Sequence, residues 1–178
     1  MCERCGPPVG GASRRGAEWV RYVNGRGPGS DPTRCNNSLD CSLSGLATWY
    51  GHPTVSAPRT AFRMADGRIE RSGEAGGRDR AEAWLHARFR LAGVGGDAFD
   101  VIAGTLLARG RGAAAVIVSE WPGVGAHAWN ALNDGAGVCW VDFQNGRTGD
   151  APLYRGNAGR VFAIYLDAEG RAADARRR

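Results

Sequence analysis

Hydrophobic positions along this chain follow a helical period first and a strand period later. Leu43, Leu46, Ala47 and Tyr50 recur at i, i+3, i+4 and i+7, and Gly51 and Pro53 end the run. Asp40 stands where an N-cap would be, which makes Cys41 the first helical residue. Residues 79–92 repeat the pattern through Ala81, Trp84, Leu85 and Phe89. Residues 97–108 repeat it through Phe99, Ile102, Leu106 and Leu107, and a Gly-rich link at 93–96 separates the two. Beyond this point the pattern shortens. Residues 113–119 (AAAVIVS) and 161–166 (VFAIYL) are brief apolar runs of the kind that form buried strands. Between them, residues 126–144 form two apolar-rich runs around Asp134-Gly135, a strong signal for a two-residue hairpin loop. Helices followed by strands predict an α+β domain with a mainly antiparallel sheet of at least four strands.

The ends do not share this patterning. Residues 1–16, rich in Gly, Pro and Arg, read as a flexible tail, residues 17–168 as one domain, and residues 169–178 as a charged C-terminal tail. A chain of 178 residues with 43% hydrophobic content can bury one sizeable core. Residues 24–32 (NGRGPGSDP) favour a loop. All 23 basic residues are Arg, and the abundance of Ala and Gly beside them reads as the codon bias of a GC-rich genome. Four Arg against one Asp in residues 171–178 supply much of the net charge of +5. No basic stripe with interleaved aromatics is present, so nucleic acid is not an expected partner. No apolar run approaches the about 20 residues that span a membrane, and the N-terminus lacks a signal-peptide apolar core, so no membrane association is expected. Five Cys is an odd number, so at least one thiol should be free. Cys2 and Cys5 form a single CxxC, and a zinc site would need Cys35 and a His to complete it. No metal and no cofactor is expected.

The candidate chemistry lies in the hairpin. With Asp134-Gly135 as the loop, Asn133 faces Ala136, and continuing that ladder sets His127 directly opposite Asp142. A slip of one residue would send the two to opposite faces. An imidazole held by a carboxylate is an oriented base, and Cys41 is the candidate nucleophile. A helix N-terminus offers partial positive charge and free N–H groups, which would lower the thiol pKa. Each assignment has a plain structural alternative. Cys is a commonly buried residue, although Cys41 stands off the face set by Leu43 and Leu46. His127 could be a satisfied structural histidine. Cys35, in the loop, is the rival nucleophile, and Cys139 alternates away from Asp142 and reads as core. His52 precedes Pro53 in a turn, and His86 belongs to a helix that already has an apolar face.

Two segments carry a family resemblance: RCNNSLDCSLSGLATWYGHPTVSA at 34–57 and GAHAWNALNDGAGVCWVDFQNGRTG at 125–149. Together they resemble the papain-like glutamine deamidase toxins of bacterial polymorphic toxin systems. In that pattern an Asn-containing loop precedes a nucleophilic Cys that opens a helix. A His-Ala-aromatic-Asn strand and an Asp-x-Gln-x-Gly strand come much later. Asn37, Cys41, Gly51, His127, Trp129, Asn130, Asp142, Gln144 and Gly146 fall on those positions, and the likeness extends from about Val23 to Leu166. Ser38 stands where many members have a second Cys, and Ala126 where a Gly often precedes the His.

The resemblance implies a papain-like fold and hydrolysis of a glutamine side-chain amide by Cys41, His127 and Asp142. Cys41 would form a thioester, His127 would protonate the departing ammonia and then activate water, and Asp142 would fix the imidazole. The Cys41 backbone N–H is the expected oxyanion donor, with Asn37 or Gln144 as a second. Gln144, two residues past Asp142, is expected on the same strand face. Asn37 could instead only cap its loop. The partners implied are a host or competitor protein bearing the target glutamine and a cognate immunity protein. The site of action implied is the cytoplasm of a target cell. The same residues would also suit a cysteine peptidase or isopeptidase, and a non-catalytic binding module on this fold is the remaining alternative.

Overall fold

Strand β4 (Ala114–Trp121) is apolar on both faces because it lies between two packed layers. Ala114, Val116 and Val118 point to one layer and Ala115 and Ile117 to the other, the two-residue alternation of a pleated strand. The structure, a computed structural model, describes residues 19–59, 62–63, 65–67, 69–70 and 76–172. The expected tail at 1–16, with Cys2 and Cys5, and the last six residues lie outside these.

The fold is α+β. Helices α1 (Val20–Val23), α2 (Ser38–Trp49) and α3 (Gly77–Leu85) come first, with a small antiparallel pair, β1 (Phe62–Arg63) and β2 (Ile69–Glu70), between α2 and α3. Strand β3 (Arg90–Val94) and helix α4 (Ala98–Arg109) follow. After β4 come β5 (Gly125–Asn133), β6 (Val138–Asp142), β7 (Arg147–Gly149) and β8 (Arg160–Leu166). Six of these strands form one antiparallel sheet in the order β3-β8-β4-β5-β6-β7. The three earlier helices cover one face, where Leu43, Leu46, Ala81 and Leu85 meet Val116, Leu132, Val141 and Ile164. Helix α4 covers the other with Phe99, Ile102 and Leu106 against Ile117, Trp129, Trp140 and Val161.

Three local expectations change. Helix α3 stops at Leu85, where His86 turns into the left-handed region at φ 51°. Phe89 is buried, but just ahead of β3 rather than on a helix, and Trp84 is 53% exposed. On α4, Leu107 faces solvent while its three partners are buried. Helix α2 begins three residues earlier than its spacing implied, at Ser38 with Asn37 as N-cap.

The hairpin register also shifts. The observed pairs are Asn130 with Val141, Leu132 with Cys139 and Asn133 with Val138, so Gly135 and Ala136 are the two loop residues. Gly135 has φ 89°, the positive sign a type II′ loop requires at its first residue. Asp134 braces the loop by accepting from the Ala136 and Gly137 N–H groups at 2.9 and 3.1 Å. A slip of two residues keeps every side chain on its expected face, whereas a slip of one would not. His127 therefore shares a face with Asp142, though diagonally and past the last β5–β6 pair.

Candidate active site

Each half of the site is set by where a regular element ends. Strand β6 stops at Asp142, and the chain turns there because Asp142 Oδ1 accepts the Gln144 and Asn145 N–H groups at 2.9 and 3.1 Å. The other oxygen, Oδ2, receives His127 Nε2 at 3.0 Å, Asn145 Nδ2 at 2.7 Å and the Tyr154 hydroxyl. Asp142 is fully buried. Burial opposes its ionisation, but the hydrogen bonds from His127, Tyr154 and Asn145 outweigh it and hold the carboxyl below its usual range. His127 is buried on the α4 face of β5. Trp121 stacks on its ring with centroids 5.3 Å apart, and Tyr154 meets it edge-on at 5.3 Å. With Nε2 committed to Asp142, Nδ1 is the ring nitrogen left for other chemistry.

Cys41 approaches from the opposite side, in the core shared by α2 and the sheet. Its side chain has no exposure, and Sγ lies 3.3 Å from Ser56 Oγ, with no hydrogen bond to His127. The expectation that the helix start would lower the thiol pKa is reversed, because burial pushes it from 9.0 up to about 12 despite the Ser56 contact. A second expectation fails for the same reason. Cys41 is the fourth helical residue, so its N–H is spent on Asn37 O at 2.9 Å and cannot serve as an oxyanion donor. Leu43 and Leu46 share the buried cluster with Cys41, so the thiol is not off the apolar face.

A buried polar cluster links the halves. The Asn37 side chain makes no capping bond to its own helix. Its Nδ2 donates to Asn24 Oδ1 at 2.8 Å and Ala57 O at 3.0 Å, and Gln144 Nε2 donates to Asn37 Oδ1 at 3.2 Å. Asn24 Nδ2 closes the cluster on Gln144 O at 2.9 Å, and Ser56 Oγ donates to Asn24 Oδ1 at 3.1 Å. Gln144 thus points toward α2 and not along the face of Asp142, because the turn after β6 ends the strand alternation. Ser38 adds a second bridge by accepting the Ala128 N–H at 3.2 Å. The segment carrying Ser56 is strapped down by Ser56 N–H to Val23 O, Arg34 Nη1 to Ser56 O and Arg59 N–H to Thr33 O, at 2.8, 2.9 and 2.7 Å.

The structure thus joins His127 to Asp142, and Asn37 to Gln144, while the Cys41 thiol reaches the second pair only through Ser56. Cys35 is exposed, and its sulfur lies 3.9 Å from Pro28 O, away from all of them. Cys139 is half-buried and packs on the α2 side. His52 and His86 are exposed. Among the described residues, no three His, Cys, Asp or Glu side chains cluster as a metal site would require, and no helix is long and apolar enough to cross a membrane. Sequence reasoning missed Asn24, Ser56, Trp121 and Tyr154. None sits in a periodic run, and only Ser56 falls within a quoted motif segment.

Residues 36–147 match the family model described as papain fold toxin 1, glutamine deamidase. That stretch covers more than half of the chain and includes Cys41, His127, Asp142, Asn37 and Gln144. Comparison with curated proteins and with solved structures returns no match. The chain belongs to this papain-fold glutamine deamidase toxin family.

Proposed function

We propose that this member of the papain fold toxin 1 family deamidates a glutamine side chain of a target protein through a thioester on Cys41. The observation that carries the reading is the buried His127 Nε2–Asp142 Oδ2 hydrogen bond of 3.0 Å, which leaves Nδ1 as an oriented base. The Cys41 thiol is neutral at rest. Attack therefore transfers the thiol proton to His127 Nδ1 as Sγ bonds to the amide carbon, and the Ser56 contact gives way to substrate. His127 returns that proton to nitrogen as the C–N bond breaks and ammonia leaves. Water, deprotonated by the same Nδ1, then cleaves the thioester to a carboxylate and restores the thiol.

Oxyanion stabilisation falls to Gln144 in place of the Cys41 N–H. Both amide hydrogens of Asn37 are already donated, whereas Gln144 Nε2 gives one and keeps one. Loss of such a donor costs roughly 3–4 kcal/mol of transition-state stabilisation. Turning a neutral amide into a carboxylate adds one negative charge to the target without cutting it, which suits a toxin. The place of action in this reading is the cytoplasm of a target cell, and a cognate immunity protein is the expected partner in the producer. Intact-mass measurement of candidate target proteins tests the reaction. Deamidation gives an unbroken chain with the small mass gain of amide becoming acid. Fragments would replace this reading with a peptidase, and an unmodified target bound equally well by C41A would replace it with a binding module.

A further inference from the structure

We propose that Tyr154 is a positioning residue of this site: its hydroxyl holds Asp142 Oδ2 and shares that carboxylate with His127, keeping the imidazole in one plane and one tautomer. The inference rests on the deamidase reading above. Tyr154 lies beyond the stretch that matches the family model, so it is a feature of this chain outside the shared motifs.

Its ring is fixed on three sides, edge-on to His127 at 5.3 Å, tilted against Trp121 at 5.4 Å and edge-on to Trp129 at 5.2 Å. An anchor next to it sets the loop. Arg155 forks onto the Asp100 carboxylate at the start of α4 with Nη1–Oδ1 2.8 Å and Nη2–Oδ2 2.6 Å, drawing the segment before β8 across the sheet. The hydroxyl thus arrives at Asp142 Oδ2 with little freedom to swing away. Oδ1 is already held by two main-chain N–H groups, so the carboxylate cannot rotate. Burial and the Asp142 charge both push the Tyr154 phenol above its ordinary value, so it acts as a donor and not as a base.

Other charged or titratable groups on the surrounding elements are Arg147, whose guanidinium lies 5.8 Å from the Tyr154 ring centroid, Cys41 and the Arg80-paired Asp40 on α2, and Glu120 on β4, paired with Arg160. Of these neighbours, only Tyr154 and Asn145 share Oδ2 with the imidazole. Removing the Tyr154 hydroxyl takes away one of the three donors on Oδ2 and loosens the hold on the ring.

The test is Y154F, which keeps the ring packing and deletes one oxygen. NMR of the His127 ring nitrogens, assigned with H127Q, should show the Nε2–H tautomer in the wild type and a mixture of the two tautomers in Y154F. Turnover should fall about tenfold in kcat with KM unchanged, as expected for one lost hydrogen bond to a charged group. An unchanged tautomer overturns the proposal, even if Y154F lowers the melting temperature, because a purely structural tyrosine would change stability alone. C41A separates the two readings. If it releases ammonia at the wild-type rate while Y154F still mixes the His127 tautomers, the deamidase mechanism fails and the positioning role stands.

Discussion

Gly45→Ala in the middle of α2 should destabilise the protein, against the usual direction for that change. In an exposed helix interior the substitution gains about 1 kcal/mol of propensity. Here a Cβ at residue 45 would lie 2.2 Å from both Cδ2 and Cε2 of Phe143 and 2.6 Å from its Cγ. Carbon atoms prefer roughly 3.5–4 Å, so the whole ring must retreat by more than 1 Å. It has little room, being buried and packed on Trp19 with ring centroids 5.2 Å apart. Overpacking of this kind costs roughly 1–3 kcal/mol and more where nothing yields. The net expectation after the propensity gain is a loss of about 1–2 kcal/mol, or roughly 2–8 °C in Tm for a domain of this size. Phe143 lies between Asp142 and Gln144, so turnover should fall further than stability accounts for. Urea and thermal unfolding of G45A, F143L and G45A/F143L form the test, and the smaller Leu should recover much of the G45A loss. A G45A melting temperature equal to or above that of the wild type would refute the close approach of α2 to this turn.

Three further outcomes follow from the same contacts. Thiol alkylation at pH 7 mapped by peptide mass should label exposed Cys35 well before buried Cys41, and comparable rates would contradict the burial of Cys41. Because the folded Cys41 thiol is raised to about 12 from 9.0, the stability it lends is present below about pH 9 and lost as pH climbs toward 12. Urea unfolding at pH 8 and pH 10 should therefore show the wild type losing up to about 1.4 kcal/mol per pH unit more than C41S. Equal slopes would count against a neutral buried thiol. N37A strips partners from Asn24, Ser56 and Gln144, and calorimetry should register a loss of roughly 1–3 kcal/mol for each buried polar group left unsatisfied. A change below half a kilocalorie, on the order of a surface substitution, would show that the cluster contributes little.

Much of the fold could be read from the chain because its signals are local. The periods around Leu46, Phe99 and Ile102 place α2 and α4, and the apolar runs place β4 and β8, since strands buried on both faces must be apolar throughout. The shared face of His127 and Asp142 was also legible, because side-chain parity survives the two-residue register shift that the Asp134 hydrogen bonds impose. The helix start was misread because Asp40, a favoured cap residue, lies inside the first turn while Asn37 takes the cap position without a side-chain bond. That error carried the thiol and its N–H with it. Trp121 and Tyr154 reach His127 from the end of β4 and the loop before β8, and Asn24 reaches Gln144 across 120 positions. Such contacts are set by tertiary packing and leave no period in the sequence.

Ammonia release from bacterial protein incubated with the wild type, C41A, H127A and D142A tests the proposed chemistry most directly. The wild type should release ammonia, C41A and H127A none above background, and D142A on the order of 10⁴-fold less, all with native far-ultraviolet spectra. Ammonia release by folded C41A at the wild-type rate would contradict that chemistry.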